Sequence, residues 1–175
     1  MQWIIRRPTA LDLPGLHQFM ALGLRHAFAT NQITGAEVEI EKAIGAKYKD
    51  MVSDVRSSGK EEYHLLAFRA ELLVGCIGYG SPNSLITKHM KISAAGNLEL
   101  KSAYVHPEFQ GLGVGKLLVT AILDKLRATG VSHVYLDCGY RRSQPFWQKQ
   151  FGEATKTLYN FWGAEEHHMI WQIRL

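Results

Sequence analysis

The stretch QGLGVGKLL, residues 110–118, places three glycines at alternate positions immediately before an apolar run. The apolar residues that follow recur with the spacing of one helix face, so the pattern predicts a loop that ends at a helix N-terminus. The first N–H groups of a helix have no intrahelical acceptor and carry a partial positive charge. Glycine lets a ligand approach them without a Cβ in the way. The stretch therefore predicts a site for an anion such as phosphate.

Two common phosphate-binding loops do not match this spacing. A Walker loop has four residues between its first glycine and its Gly-Lys pair, and serine or threonine follows the lysine. In this chain only three residues separate Gly111 from Gly115-Lys116, and Leu117 follows the lysine. The dinucleotide fingerprint needs G-x-G-x-x-G, but the chain has G-x-G-x-G and no early βαβ unit. A third pattern, Gln/Arg-x-x-Gly-x-Gly/Ala between a strand and a long amphipathic helix, does match.

On these residues, and on the order of elements over nearly the whole chain, the sequence resembles the GCN5-related N-acetyltransferase superfamily. The resemblance implies that the loop binds the pyrophosphate of acetyl-CoA, with amides from Gly111 to Lys116 facing the diphosphate. It also implies that the backbone at Val105 pairs with the pantetheine arm. The implied cofactor-binding residues are Val105, Gln110, Gly111, Leu112, Gly113, Val114, Gly115 and Lys116. The implied reaction is direct transfer of an acetyl group to an amine, without a covalent enzyme intermediate.

Such a reaction calls for a general base, because an alkyl amine is mostly protonated at neutral pH. Glu99 lies eleven residues before Gln110, which matches the glutamate base of GCN5-like members. Its neighbour on the same strand face is Lys101, so a partly exposed ion pair is the alternative. A backbone N–H near Val105 would stabilise the oxygen that becomes negative.

The proton donor for the departing thiolate is where the chain departs from the family. Many members use a tyrosine on the helix after the fifth strand, but the nearest aromatic residue in SQPFWQKQFG is Trp147. Tyr140 is the candidate substitute, with a packing or surface role as the alternative. This departure leaves open a non-catalytic acyl-CoA-binding or regulatory module. Arg141, Arg142 and Lys116 are candidate contacts for CoA phosphates, or ordinary solvated charges.

Composition weakens the other classes of function. The net charge of +4 and the pI near 9.1 suit an anionic ligand, but the basic residues are dispersed, which argues against nucleic-acid binding. No histidine pair has zincin spacing, so we expect no metal site. Cys76 and Cys138 lie in apolar, strand-like runs and are expected to be reduced, buried thiols. Trp162 and Trp171, with Phe161, are expected to pack in a core or an interface.

The elements that must position these residues alternate between helix and strand. The sequence predicts a strand at Trp3–Ile5, helices from Thr9 and over residues 36–56, and a hairpin over residues 61–80 that turns near Ala70-Glu71. Residues 82–97 show no period and are predicted to form a long loop. Further predictions are a two-faced strand from Leu98 to Val105, the helix after the glycines, a strand at His133–Cys138, a short helix at Ser143–Phe151, and strands at Thr155–Phe161 and His167–Leu175. The fold class predicted is α+β, with a mixed, mostly antiparallel sheet flanked by helices.

The length and hydropathy of the chain predict its domain organisation and location. The 175 residues, 46% of them hydrophobic, are expected to form a single domain over residues 1–175. Neither a signal peptide nor a membrane helix is recognisable, which predicts a cytoplasmic protein with no membrane partner. The expected partner is an amine-bearing acceptor, whether small molecule, peptide or protein. The closing strands are candidates for a homodimer contact.

Overall fold

A computed structural model describes residues 2–175, which form seven strands and five α-helices. The strands belong to one sheet with the order β1-β2-β3-β4-β5-β7-β6. Strands β4 and β5 pair in parallel, whereas β1 with β2, β2 with β3, β5 with β7, and β6 with β7 are antiparallel. The predicted α+β class with a mostly antiparallel sheet is confirmed. In chain order the elements are β1 (Ile4–Arg6), α1 (Leu13–Thr30), α2 (Glu37–Ser57), β2 (Tyr63–Arg69), β3 (Leu72–Gly80), α3 (Ser84–Met90), β4 (Glu99–Val105), α4 (Val114–Ala128), β5 (His133–Cys138), α5 (Gln144–Phe151), β6 (Lys156–Gly163) and β7 (Glu166–Arg174).

The chain divides into two compact units, and the prediction of a single domain stays a prediction. The first unit contains the described residues up to Tyr79 together with Lys101–Lys125. Its core lies between α1, α2 and the strands β2 and β3. In α1, Leu16, Met20 and Leu24 recur every four residues and are almost fully buried, which is the spacing of one helix face. In α2, Ile40, Ile44 and Met51 are buried.

The second unit contains Gly80–Leu100 and Leu126–Leu175. Its small core joins Ile86 of α3 to Tyr135 of β5 and Ile170 of β7. Helix α3 corrects the prediction of a loop over residues 82–97. The side chain of Asn83 caps this helix by accepting hydrogen bonds from the backbone N–H groups of Leu85 (2.8 Å) and Ile86 (2.9 Å). The helix is only seven residues long, too short for a helical period to show in the sequence.

Strand β4 was predicted to present two different faces, but both faces are covered at its start. Glu99, Leu100 and Ser102 are all buried. Ser102 has a φ of 54°, in the left-handed region that breaks a regular strand. The residue types alone do not reveal this local irregularity.

Candidate functional site

The loop before α4 holds two exposed glycines in the left-handed backbone region. Gly111 has a φ of 76° and Gly113 a φ of 86°, values that other residues adopt only with strain. A Cβ added at either position would meet no atom within 4 Å, so the space in front of the backbone is open. The hydrogen bond from Leu117 N to Gly113 O (3.0 Å) starts the helix immediately afterwards. This geometry suits a ligand that contacts backbone amides.

The first turn of α4 is anchored by close packing on β3. Val114 and Leu118 are each 1% exposed. A Cβ on Gly75 of β3 would lie 2.8 Å from Leu118 Cδ1 and 3.0 Å from Val114 Cγ1, so a side chain there would push the helix away. The absence of a side chain at Gly75 therefore helps to fix the position of the helix N-terminus.

Gln110 and Val105 are joined directly. The side-chain Nε2 of Gln110 donates to the carbonyl oxygen of Val105 (3.2 Å), which ties the loop to the end of β4. The next residue, His106, donates its N–H to Val74 O of β3 (2.9 Å). The structure thus brings two of the predicted cofactor-binding residues together, and it gives the Gln110 side chain a role in shaping the loop.

Glu99 is a buried carboxylate, and its assignment as the base stays a prediction. It is 4% exposed. Its Oε2 accepts from the backbone N–H of Asn83 (2.6 Å) and its Oε1 from the Asn83 side-chain Nδ2 (3.1 Å). Lys101 belongs to the first unit and pairs with two carboxylates there: its Nζ lies 3.1 Å from Glu62 Oε1 and 3.5 Å from Asp50 Oδ2.

Three polar residues near Glu99 were missed by sequence reasoning. The register places Glu99 beside Tyr135 and Asp137 beside Ile170. Since side chains alternate along a strand, Glu99, Asp137 and His168 fall on one face of the sheet, the face that α3 covers. Asp137 Oδ2 lies 3.0 Å from Asn83 Nδ2 and 3.1 Å from His168 Nε2. Only the strand pairing brings these residues together, and nothing in the sequence pattern signals it.

Trp162 completes this group from the exposed side of β6. Its indole Nε1 donates to His168 Nδ1 (3.1 Å), although the residue is 61% exposed. Trp162 is therefore not part of the core, and its predicted alternative role in an interface stays a prediction. Trp171, by contrast, is 1% exposed and lies in the core as predicted.

Comparison with known proteins identifies the family. The sequence model of the acetyltransferase (GNAT) family matches residues 34–152, about two thirds of the chain. The chain belongs to the GNAT acetyltransferase family. A comparison with curated proteins finds no match.

Solved GNAT structures share the fold. The PaiA N-acetyltransferase of Thermoplasma acidophilum, determined in complex with coenzyme A, superposes with a TM-score of 0.71 at 20% identity, over 98% of this chain and 99% of that one. A GCN5-related N-acetyltransferase from Rhodopseudomonas palustris gives 0.70 at 16% identity, over 100% and 97%. YncA of Salmonella typhimurium, determined with its cofactor acetyl-CoA, gives 0.68 at 17% identity, over 100% and 95%.

The aromatic residues near the expected GNAT tyrosine have different surroundings. Trp147 is buried in α5, where it stacks on Phe151 and meets Phe146 edge to face. Tyr140 follows β5, and burial, with a smaller contribution from Cys138, raises the pKa of its phenol to about 12. Tyr140 therefore carries its proton at neutral pH but is a weak donor. Its assignment as the acid stays a prediction.

Coenzyme A fits the loop, because the glycine conformations leave the backbone open where a diphosphate would bind. The side chains of Lys116, Arg141 and Arg142 are exposed. Among the described residues there is no group of three or more histidine, cysteine or acidic side chains arranged to hold a metal ion. None of the helices within residues 2–175 has the length and apolar character that a membrane span requires.

Proposed function

We propose that the chain is an acetyl-CoA-dependent N-acetyltransferase that acetylates a primary amine by direct transfer in a ternary complex. The observation that carries the proposal is the open, left-handed glycine loop at the N-terminus of α4. The acceptor is an amine on a small molecule, peptide or protein. We place the reaction in the cytoplasm, with no nucleic acid as partner.

The loop would hold the diphosphate through the amides from Gly111 to Lys116, assisted by the positive end of the α4 dipole. The side chain of Gln110 holds this segment to Val105 and the buried Val114 anchors it, whereas Leu112 is exposed. The strand edge at Val105 would pair with the pantetheine arm, and an N–H group near it would stabilise developing negative charge on the acyl oxygen. Acetyl-CoA supplies an acyl group activated as a thioester.

Glu99 would accept the proton that the acceptor amine must lose. An alkyl ammonium with a pKa of about 10.4 leaves on the order of one part in 10³ neutral at pH 7, so a positioned base raises the reactive fraction. Both oxygens of Glu99 already accept hydrogen bonds from Asn83, which fixes the direction of the carboxylate. Tyr140 would return a proton to the departing thiolate, with a small contribution because its pKa is about 12.

Calorimetry tests the cofactor site directly. We expect acetyl-CoA to bind saturably and ATP not to compete. Gly113→Ala should weaken binding at least about tenfold, because a left-handed alanine is strained and the loop must rearrange. Gly130→Ala is the matched control, since Gly130 has a φ of 77° and equally open surroundings beyond the end of α4. Equal affinity in the two variants, or no binding to the wild type, would remove the acetyl-CoA site.

A turnover assay distinguishes an enzyme from a non-catalytic acyl-CoA-binding module. The module is the alternative because Trp147 stands where the family's tyrosine is expected. A panel of amines is assayed by the thiol released as CoA. Cys76 and Cys138 are buried, and burial raises the pKa of each to about 12, so neither protein thiol should react with the detection reagent. Amine-dependent release of CoA supports the enzyme. Binding without any release across the panel favours the module.

A further inference from the structure

A continuous chain of hydrogen bonds in the second unit links the exposed Trp162 to the buried Glu99. Trp162 Nε1 donates to His168 Nδ1, and His168 Nε2 contacts Asp137 Oδ2, both over 3.1 Å. The same Asp137 oxygen accepts from Asn83 Nδ2 (3.0 Å), which also donates to Glu99 Oε1 (3.1 Å). Five residues from five segments of the chain thus share one network.

The protonation state of His168 follows from its partners. An indole N–H can only donate, so Nδ1 of His168 must be an unprotonated acceptor. The ring proton then lies on Nε2 and is donated to Asp137. His168 is therefore neutral in this arrangement. A proton added at Nδ1 would face the Trp162 N–H and break that hydrogen bond.

Asn83 has one workable orientation. Its Oδ1 accepts from two N–H groups at the start of α3, so its Nδ2 must point toward the carboxylates. Both protons of Nδ2 are used, one by Glu99 and one by Asp137. The amide of Asn83 is therefore a rigid bridge between two acidic side chains.

Gly139 provides a separate indication that the Trp162–His168 contact is built into the fold. A Cβ on this glycine would lie 2.7 Å from Trp162 Nε1 and 3.0 Å from His168 Nδ1. Any side chain at position 139 would press against the two atoms that form the hydrogen bond. The lack of a side chain leaves just enough room for the contact.

Other groups that can carry charge surround this part of the network. His89 on α3 interacts electrostatically with His168, and with Lys88 on α3 and Lys156 on β6. Glu166 and His167 precede His168 on β7. Lys156 donates to His89 O (2.8 Å). Burial, followed by the charges of Lys88 and Lys156 and by His168, lowers the pKa of His89. Asp137 is the one carboxylate in contact with the His168 ring among the described residues.

We propose that Asp137 and neutral His168 are positioning residues for the acid–base centre, acting through Asn83 to hold the Glu99 carboxylate in its working direction. The inference rests on the proposed function, in which Glu99 is the base. His168 keeps its Nε2 proton throughout the reaction, so the network orients Glu99 without relaying a proton. Protonation of His168 releases Trp162 and places a positive charge in the network, which makes Glu99 a weaker proton acceptor.

The first test needs neither acetyl-CoA nor an acceptor. Nitrogen-15 NMR of the unliganded protein should show His168 as the Nε2–H tautomer at neutral pH. As the pH falls, the Trp162 indole resonance should shift with the midpoint of His168. Gly139→Ala should uncouple the two titrations, whereas Gly45→Ala, where a Cβ meets no atom, should not. The proposed network would be refuted if His168 carried its proton on Nδ1, or if the Trp162 resonance did not change when His168 is protonated.

The second test is kinetic. Asn83→Asp retains a helix cap but replaces the donating amide by a third carboxylate. We expect it to lower kcat about 10- to 100-fold through misdirection of Glu99, with little change in KM for acetyl-CoA, and to move the acid limb of kcat to higher pH. His168→Gln should abolish the part of the acid limb of the kcat profile that depends on protonation of His168. His167→Gln, one residue away, should retain it. Wild-type pH profiles in both network variants would refute the positioning role.

The two failures can be told apart. If the wild type binds acetyl-CoA but acetylates no amine, the proposed function falls and the role of the network in catalysis falls with it. If amines are acetylated while Asn83→Asp and His168→Gln behave as wild type, only the inference falls.

Discussion

Among residues 2–175, two aspartates contact the ring of a histidine, and the surroundings of the two pairs differ. In the first unit, Asp54 and His64 are both fully buried, and the Asp54 carboxylate accepts from the Arg7 guanidinium and the His64 backbone N–H. His64 Nε2 has no hydrogen-bond partner among residues 2–175. In the second unit, Asp137 and His168 are hydrogen-bonded onward in both directions, to Asn83 and to the exposed Trp162.

The difference shows what separates a structural charge cluster from a candidate functional one. The charge of the Asp54 carboxylate is balanced by the adjacent Arg7 guanidinium. Nε2 of the neighbouring His64 makes no further hydrogen bond within residues 2–175. The Asp137 carboxylate faces another acid across an amide, and its histidine reaches an exposed side chain. Identical residue types therefore support different roles, and the number and exposure of their further partners decide which role is available.

The largest contrast in stability is expected from removing each aspartate. Asp54→Ala leaves the Arg7 guanidinium and the His64 N–H without their acceptor, which should lower the free energy of unfolding by about 3–5 kcal/mol. Asp137→Ala leaves only neutral donors near solvent without an acceptor, and it should lower the free energy of unfolding by about 1–3 kcal/mol. Urea unfolding of both variants checks the order.

If Asp54→Ala does not fold, Asp54→Asn provides the same comparison with a milder change. Per folded molecule, the Asp54 variants should retain wild-type turnover and Asp137→Ala should not. A reversed order of stabilities, or loss of turnover at both positions, would erase the distinction between the two pairs.

The next contrast is between the buried carboxylate of Glu99 and the partly buried carboxylate of Glu62. Glu99→Gln should lower kcat by at least about 10²-fold, because the amide cannot accept the amine proton, while the Kd for acetyl-CoA stays within about twofold. Glu62→Gln in the first unit, which removes a carboxylate held by Lys101, is the control and should leave kcat near wild type. Steady-state kinetics with calorimetry measures both quantities. Unchanged turnover in Glu99→Gln would remove Glu99 from the role of base.

The sequence was sufficient for the parts of the molecule that depend on local pattern. The glycine spacing and the apolar face of α4 predicted the loop and helix, and the strand His133–Cys138 was confirmed at both ends. The sequence could not predict the Asn83–Asp137–His168 group, because these residues are brought together by strand register. It also missed α3, where a single capping asparagine rather than a period starts the helix.

A finer contrast comes from two glycines that touch the histidines. At Gly78 a Cβ would lie 2.2 Å from His64 Cδ2, and His64 has no room to move because it is fully buried. Gly78→Ala should therefore cost about 2–3 kcal/mol of stability. At Gly139 the nearest atom, at 2.7 Å, belongs to the exposed Trp162, which can move away, and the His168 ring lies at a less severe 3.0 Å, so Gly139→Ala should cost less than about 1 kcal/mol. Thermal unfolding of the two variants measures the difference, and equal losses would show that Trp162 is as confined as His64.

The smallest effect is expected at Tyr140. Its phenol, with a pKa of about 12, would have to protonate a thiolate whose conjugate acid has a pKa of about 8.5, an uphill transfer of roughly 5 kcal/mol. A thiolate of that basicity also leaves without help, so little depends on the donor. We expect Tyr140→Phe to lower kcat less than about threefold, far below the effect of Glu99→Gln. A tenfold loss with unchanged stability would mean that the phenol is a stronger acid in the loaded enzyme than its burial implies, and would establish Tyr140 as the second member of the acid–base pair.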